Sequence, residues 1–360
     1  MLDQDLAKVP LPATLIIPQR NEIGDGPKPV TFHQVLSGIG PDYDTELGRI
    51  LGLPKTETDK IVSVLKSSEL SQSKYTVKGV EVNWLFPKYS RISEVLKTQL
   101  DLMIDRAKSE DPLEFEQIRK SGMEVVWLPP CDINRPFISG NRIFLPRLTE
   151  GDSRSYSSFA HEFSHLVLHQ SVKMTPDVVG TSKSKTITEG AAIYLSEKTY
   201  YTKIDDPKVR ASDVRLDDSS FFFGWRVRRV WASLTEKGVK SIPVSIMALN
   251  NLMEEHGLRS DINFIYLFGA TLMQEVISYC DEKGLSSRES IKSLFVNSNK
   301  KEVIRKSKAI SDSNLDGLGL SHDEETRIMY QALIETFGLS PEEASALIIK
   351  VSRRIFGISA

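Results

Sequence analysis

The residues of this chain whose types and spacing could do chemistry are His161, Glu162 and His165, within Phe159-Ala-His-Glu-Phe-Ser-His-Leu-Val-Leu-His169. At 3.6 residues per turn, positions i and i+4 share one helical face. His161 and His165 can therefore reach a single metal ion, with Glu162 beside the coordination position that the protein leaves open. The chemistry this suggests is zinc-dependent hydrolysis. Phe159, Ala160, Phe163, Leu166, Val167 and Leu168 supply the apolar surface that would bury the rest of such a helix.

A catalytic zinc usually takes three protein ligands and one water, so a third ligand is required. His169 continues the i+4 series, but it lies eight residues from His161, about 12 Å along the axis at 1.5 Å per residue. That is too far for one ion, and His169 is expected at the edge of the site or of the core. Leu168 and Ser171 stand where the longer metzincin signature needs Gly and His, which excludes that arrangement. Glu189 is the strongest remaining candidate, because two antiparallel helices joined by the polar stretch Gln170 to Lys185 would bring it opposite the histidines. Thr186 and Glu189 also have the spacing of a capping box, which accounts for Glu189 without any metal.

His161-Glu-Phe-Ser-His165 followed by Glu189-Gly-Ala-Ala-Ile-Tyr194 resembles the gluzincin signature of zinc metallopeptidases, in which Glu-Gly-x-Ala-x-Tyr supplies the third ligand. The resemblance extends weakly over residues 80 to 300, through Ile138 to Pro146 and through Ile265-Tyr266-Leu-Phe-Gly269-Ala270. It implies Zn2+ held by His161, His165 and Glu189, with Glu162 as the general base that moves a proton from water to the leaving amine. It also implies Tyr266 as a donor to the developing oxyanion; a buried core tyrosine explains that residue equally well. His256, at the end of a candidate helix, is a second donor candidate.

The fold class expected is α+β. A zincin-like catalytic domain, with a small mixed sheet, an edge strand, the motif helix and the Glu-bearing helix, would be followed by a helical C-terminal half. A small, mainly helical N-terminal segment would precede it. The boundaries are 1–75 for the N-terminal arm and helical module, 76–200 for the zincin-like half with both metal-bearing helices, and 201–360 for the helical subdomain that completes the cleft.

Several elements can be placed in advance. Residues 1–28 are rich in Pro and Gly and read as an extended arm. Two helices joined at Gly52-Leu-Pro54 have a helix-turn-helix look, but Glu57 and Asp59 on the second argue for a packing module rather than a DNA reader. Ser67 to Lys78 is polar and reads as a linker. Strands are expected at 79–86, 123–128 and 141–146, where Pro146 either ends the last strand or places it on the sheet edge. A peptide or protein substrate could then bind by adding a strand beside Arg142 to Leu145. Helices are expected at 92–107, 220–236, 244–255, 263–283, 287–295, 324–337 and 341–356. The run Trp225-Arg226-Val-Arg228-Arg229-Val-Trp231 suits either a solvated helix face or an anion contact.

Composition narrows the partners. Lys plus Arg number 46 against 48 Asp plus Glu, so no global field draws the protein to nucleic acid or an anionic membrane. Cys131 and Cys280 have no metal-type spacing and make no disulfide framework, and no long apolar run predicts a membrane span. The expected location is the cytoplasm.

Other readings remain open on the same residues. His161 to His169 is also similar to the motif helix of ImmA/IrrE-type regulatory proteases, which would imply cleavage of one repressor-like protein; the Tyr266-x-x-Gly269 helix favours the gluzincin likeness. A binding module that keeps metal for structure alone is the alternative of another class. A third is a latent protease whose N-terminal arm occupies its own cleft.

Overall fold

The computed structural model describes residues 30–31, 55–66, 68–88, 94–128, 136–146, 153–179, 183–201, 231–238, 255 and 264–356. Six strands form one mixed sheet: β1 (Val30–Thr31), β2 (Glu69–Val77), β3 (Val80–Pro87), β4 (Met123–Trp127), β5 (Phe137–Ser139) and β6 (Arg142–Leu145), in the order β1-β2-β3-β4-β6-β5. The central β3, β4 and β6 are parallel, and the outer pairs are antiparallel. Helix α1 (Lys55–Lys66) precedes β2, while α2 (Glu94–Glu110) and α3 (Pro112–Ser121) make the crossover that a parallel β3–β4 pair requires.

The segment Glu69–Val77, which reads as a linker, is instead a strand paired with β3 over eight positions. Its polar composition hides it, because its side chains lie at the solvated end of the sheet and are largely half-buried or exposed. The turn that closes this hairpin is legible. Lys78 and Gly79 have φ of 51° and 83°, the paired positive values of a two-residue hairpin turn.

A second correction concerns the edge. β6 pairs with β4 on one side and β5 on the other, so Arg142 to Leu145 is an interior strand. Among the described residues the edges are β1 and β5. Pro146 follows β6 and ends it without placing it on the rim.

Alternation along the strands builds the core. Val80, Val82, Trp84, Met123, Val125, Ile143 and Leu145 are all nearly inaccessible and face the helices. On the other face Gln72, Asn83, Glu124 and Arg142 are joined across four strands by side-chain hydrogen bonds, 2.8 Å from Gln72 to Asn83 and 2.9 Å from Asn83 to Glu124.

The metal-motif helix α4 (Ser153–Met174) lies on the core face, where Phe159 meets Trp84 edge-on at 5.9 Å. Helix α5 (Lys185–Leu195) follows and runs directly into a π-helical turn, Ser196–Tyr200. Residues 264–356 are helical: α6 (Phe264–Lys283), α7 (Ser287–Ser298), α8 (Lys301–Ala309), α9 (Asp312–Leu318), α10 (Glu324–Phe337) and α11 (Pro341–Phe356). Gly338 ends α10 in the left-handed conformation, φ 64°, as its place after the last apolar turn suggests. Helices α3, α8 and α9 are additions to the sequence reading. Pro112 at the first position of α3 is the one clear signal for them.

The described residues are thus mixed α and β, mostly helical, with one small mixed sheet. No helix among the described residues is long and apolar enough to cross a membrane. The Pro-rich arm and the first helix of the helix-turn-helix pair lie outside the described residues. Its second helix is α1, where Lys55 is paired with Asp59 at 2.8 Å.

Candidate metal centre

Three side chains converge where α4 faces α5. His161 Nε2 is 3.0 Å from Glu189 Oε2 and 3.0 Å from His165 Nε2, and His165 Nε2 is 3.2 Å from Glu189 Oε2. Among the described residues this is the one group of three such side chains that could hold a metal ion. The fit can be tested on these separations. Ligand atoms at zinc bond lengths of about 2.0–2.1 Å and tetrahedral angles stand about 3.3 Å apart, close to the triangle observed. One carboxylate oxygen and two imidazole nitrogens aimed at a common point also form a donor set that such an ion takes.

Helix α4 positions the histidines because most of its circumference is apolar and fully buried: Phe159, Ala160, Phe163, Leu166, Val167 and Leu168 have no accessible surface. His161 and His165 lie on the arc that faces α5, where both reach Glu189. Glu162 is itself 93% inaccessible, at 7% relative exposure. Burial pushes its carboxyl pKa up, against the opposing pull of His165 and His161. Glu189 behaves differently: burial works against its ionisation, but the two imidazoles outweigh that and hold it well below the usual carboxylate range. The two environments thus push the two carboxyls in opposite directions, Glu162 towards a stronger proton acceptor and Glu189 towards the anion.

Glu189 is available because it caps nothing. Helix α5 begins at Lys185 with Ser184 as its N-cap, whose Oγ accepts from Ile187 N at 3.2 Å. The carboxylate of Glu325, from α10, accepts from Lys185 N at 3.1 Å, Thr186 N at 2.9 Å and Ser184 Oγ at 2.7 Å. The Thr186–Glu189 capping box does not form, since Thr186 is already inside the helix. No local signal points to Glu325, which is 139 residues from Thr186.

Tyr266 stands beside this group, its ring centroid 5.9 Å from that of His161. A backbone contact puts it there. Gly190, next to Glu189, packs on Gly269 of α6, and a Cβ on either residue would lie within 2.6 Å of the other helix's backbone oxygens. Glycine in the run Glu189-Gly-Ala-Ala was the available hint that another backbone approaches closely.

His169 does not join the group. It is partly buried beside a cavity of about 230 Å³ lined by Val172, Lys173, Val178, Val179, Phe295 and Asn299. Burial, then the charges of His165 and Lys173, press its pKa down to about 4, so it is neutral at physiological pH. His256 and Arg226, Arg228 and Arg229 lie outside the described residues.

No protein-family model matches this chain, and no curated protein matches it at a significant level.

Proposed function

We propose that this protein is a zinc-dependent peptidase, with His161, His165 and Glu189 as metal ligands. The observation that carries the reading is the closed triangle of their three donor atoms, with sides of 3.0 to 3.2 Å, beside a buried carboxyl on the same helix turn. Zinc rather than a harder cation suits two imidazoles and one carboxylate. When bound, zinc supplies Lewis acidity, which lowers the pKa of water and polarises a carbonyl.

The rest of the chemistry belongs to side chains. Glu162 is the general base: its carboxylate takes a proton from water and passes it to the leaving amine, and burial, which pushes its pKa up, strengthens it as a proton acceptor. Tyr266, alongside His161, is the donor to oxygen charge that develops on the carbonyl. An extended peptide adds to the sheet at β5, the edge nearest α4, through main-chain hydrogen bonds that tolerate many sequences.

Elemental analysis of the purified protein, together with casein or peptide-library turnover, tests this. Stoichiometric zinc and turnover abolished by o-phenanthroline are expected. Protein that takes up no zinc on titration would overturn the reading, and stoichiometric zinc without any peptide turnover would reduce it to a metal module.

A further inference from the structure

A second cluster of charged side chains lies away from the metal centre yet touches both helices that carry it. Asp111, at the junction of α2 and α3, has a fully buried side chain that accepts from Tyr200 Oη, Arg288 and Lys292 Nζ, the last at 3.0 Å. Glu114, on α3, accepts from Lys292 Nζ at 2.8 Å and from Ser171 Oγ of α4 at 2.6 Å. Two carboxylates face two cations, and two hydroxyls complete the set.

The π turn that ends α5 is bound into this cluster at several atoms. Arg288 donates to Thr199 Oγ1, Arg106 of α2 donates to the Thr199 carbonyl, and the Tyr200 ring packs edge-on against Phe163 of α4 at 5.0 Å. Tyr200 stays a donor, because burial and the Asp111 carboxylate raise its pKa well above the ordinary phenol value.

A buried ion cluster adds little net stability over an apolar filling of the same volume, and its best-attested use is to specify one register. The register specified here is that of α5 against α4. Thr199 lies ten residues beyond Glu189, about 15 Å along a helix, and a helix transmits a slide or rotation of one end to the other. Metal ligands tolerate distance errors of only about 0.2 Å, so a shift of about 1 Å at the π turn would take Glu189 out of range of the ion.

We infer that the Asp111–Tyr200–Arg288 cluster is the positioning device for Glu189, setting the axial position of the ligand helix and hence the affinity of the metal centre. This rests on the metal-centre reading above.

The test uses the full chain and zinc itself, with affinity measured by competition against a chromophoric chelator and geometry read from the visible spectrum of the Co2+-substituted protein. Tyr200→Phe removes one hydroxyl and keeps the ring on Phe163; Asp111→Asn removes the central charge. Leu315→Ala, in the remote α9, is the control for general destabilisation. Tyr200→Phe is expected to bind zinc at least about ten-fold more weakly, the scale seen for groups that orient metal ligands, and to shift the Co2+ bands. Leu315→Ala is expected to unfold at lower temperature with unchanged zinc affinity and spectrum. Tyr200→Phe with zinc affinity within two-fold of wild type and an unshifted spectrum would overturn the inference while leaving the metal centre intact. Asp111→Asn is expected to weaken zinc binding in the same direction, and unchanged affinity in it would count equally against the inference. Failure of the wild-type chain to bind zinc would instead remove the metal centre on which the inference stands.

Discussion

Gly190 and Gly269 touch backbone to backbone: a Cβ placed on Gly190 would lie 2.5 Å from the carbonyl oxygen of Gly269, and one on Gly269 would lie 2.6 Å from that of Thr186. Both glycines are inside helices, where glycine is ordinarily a cost of about 0.5–1 kcal/mol relative to alanine. They are retained where α5 carries Glu189 and α6 carries Tyr266, and the distance between those two side chains depends on the contact.

Gly190→Ala should therefore have the opposite sign from the usual helix substitution. Forcing a methyl against backbone is expected to destabilise by about 1–3 kcal/mol, with weakened zinc binding as the helices separate. Gly317→Ala, in α9 with open space around its Cβ, is expected to stabilise by about 0.5–1 kcal/mol. Urea unfolding of both variants checks the pair; a stabilised Gly190→Ala would contradict the close contact.

Glu162→Gln keeps the size of the side chain and removes the proton acceptor. Hydrolysis is expected to fall by about 10²- to 10⁴-fold or more with zinc still bound stoichiometrically. Glu189→Gln should do the reverse in order of cause, losing metal first and activity with it. Metal analysis beside peptide turnover separates the two, and an active Glu162→Gln enzyme would exclude Glu162 as the base.

Glu325 acts on α5 from 139 residues away in sequence by taking two N–H groups of its first turn. Glu325→Ala is expected to cost about 0.5–2 kcal/mol, the range for loss of a helix cap, and Glu325→Gln less, since one acceptor oxygen remains. Equilibrium unfolding measures this. Equal stability of Glu325→Ala and wild type would show that Ser184 caps the helix unaided.

His169 supplies a pH dependence. In the unfolded chain it takes a proton at about 6.5, whereas in the folded chain it does so only at about 4. Between those values the unfolded state binds more protons, so stability falls as pH drops from 6.5 towards 4 and this contribution levels off below 4. Comparing urea midpoints at pH 7 and pH 5, the loss should be smaller in His169→Gln than in wild type. Identical losses would mean that His169 is not held neutral.

Much of the candidate metal centre is legible because its information is local. The i, i+4 spacing of His161 and His165 and the apolar residues between them specify one helix with one polar arc, and rise per residue alone removes His169 from the ligand set. Glu189 was reachable by elimination and by its place in the next helix, although its capping-box spacing gave it a second explanation that only the position of Ser184 dismissed. The strand Glu69–Val77 is hidden for the opposite reason. A polar strand owes its existence to the partner it pairs with, and that partner's claim is invisible in composition.

What the sequence determined by itself was therefore the chemistry on offer: two imidazoles and a carboxyl on one helix face, a second carboxyl one helix later, and an α+β chain long enough to bury them. The tertiary structure decided which of these groups meet. It put β6 inside the sheet and β5 at its rim, brought Glu325 to the start of α5, packed Gly190 against Gly269, and tied the π turn to Asp111. Apart from the local β5–β6 hairpin, each of these is a contact between residues far apart in the chain. Its physical cause, a shared core face, a buried charge or an approach that only glycine allows, exists once the elements have packed and leaves little trace in either segment alone.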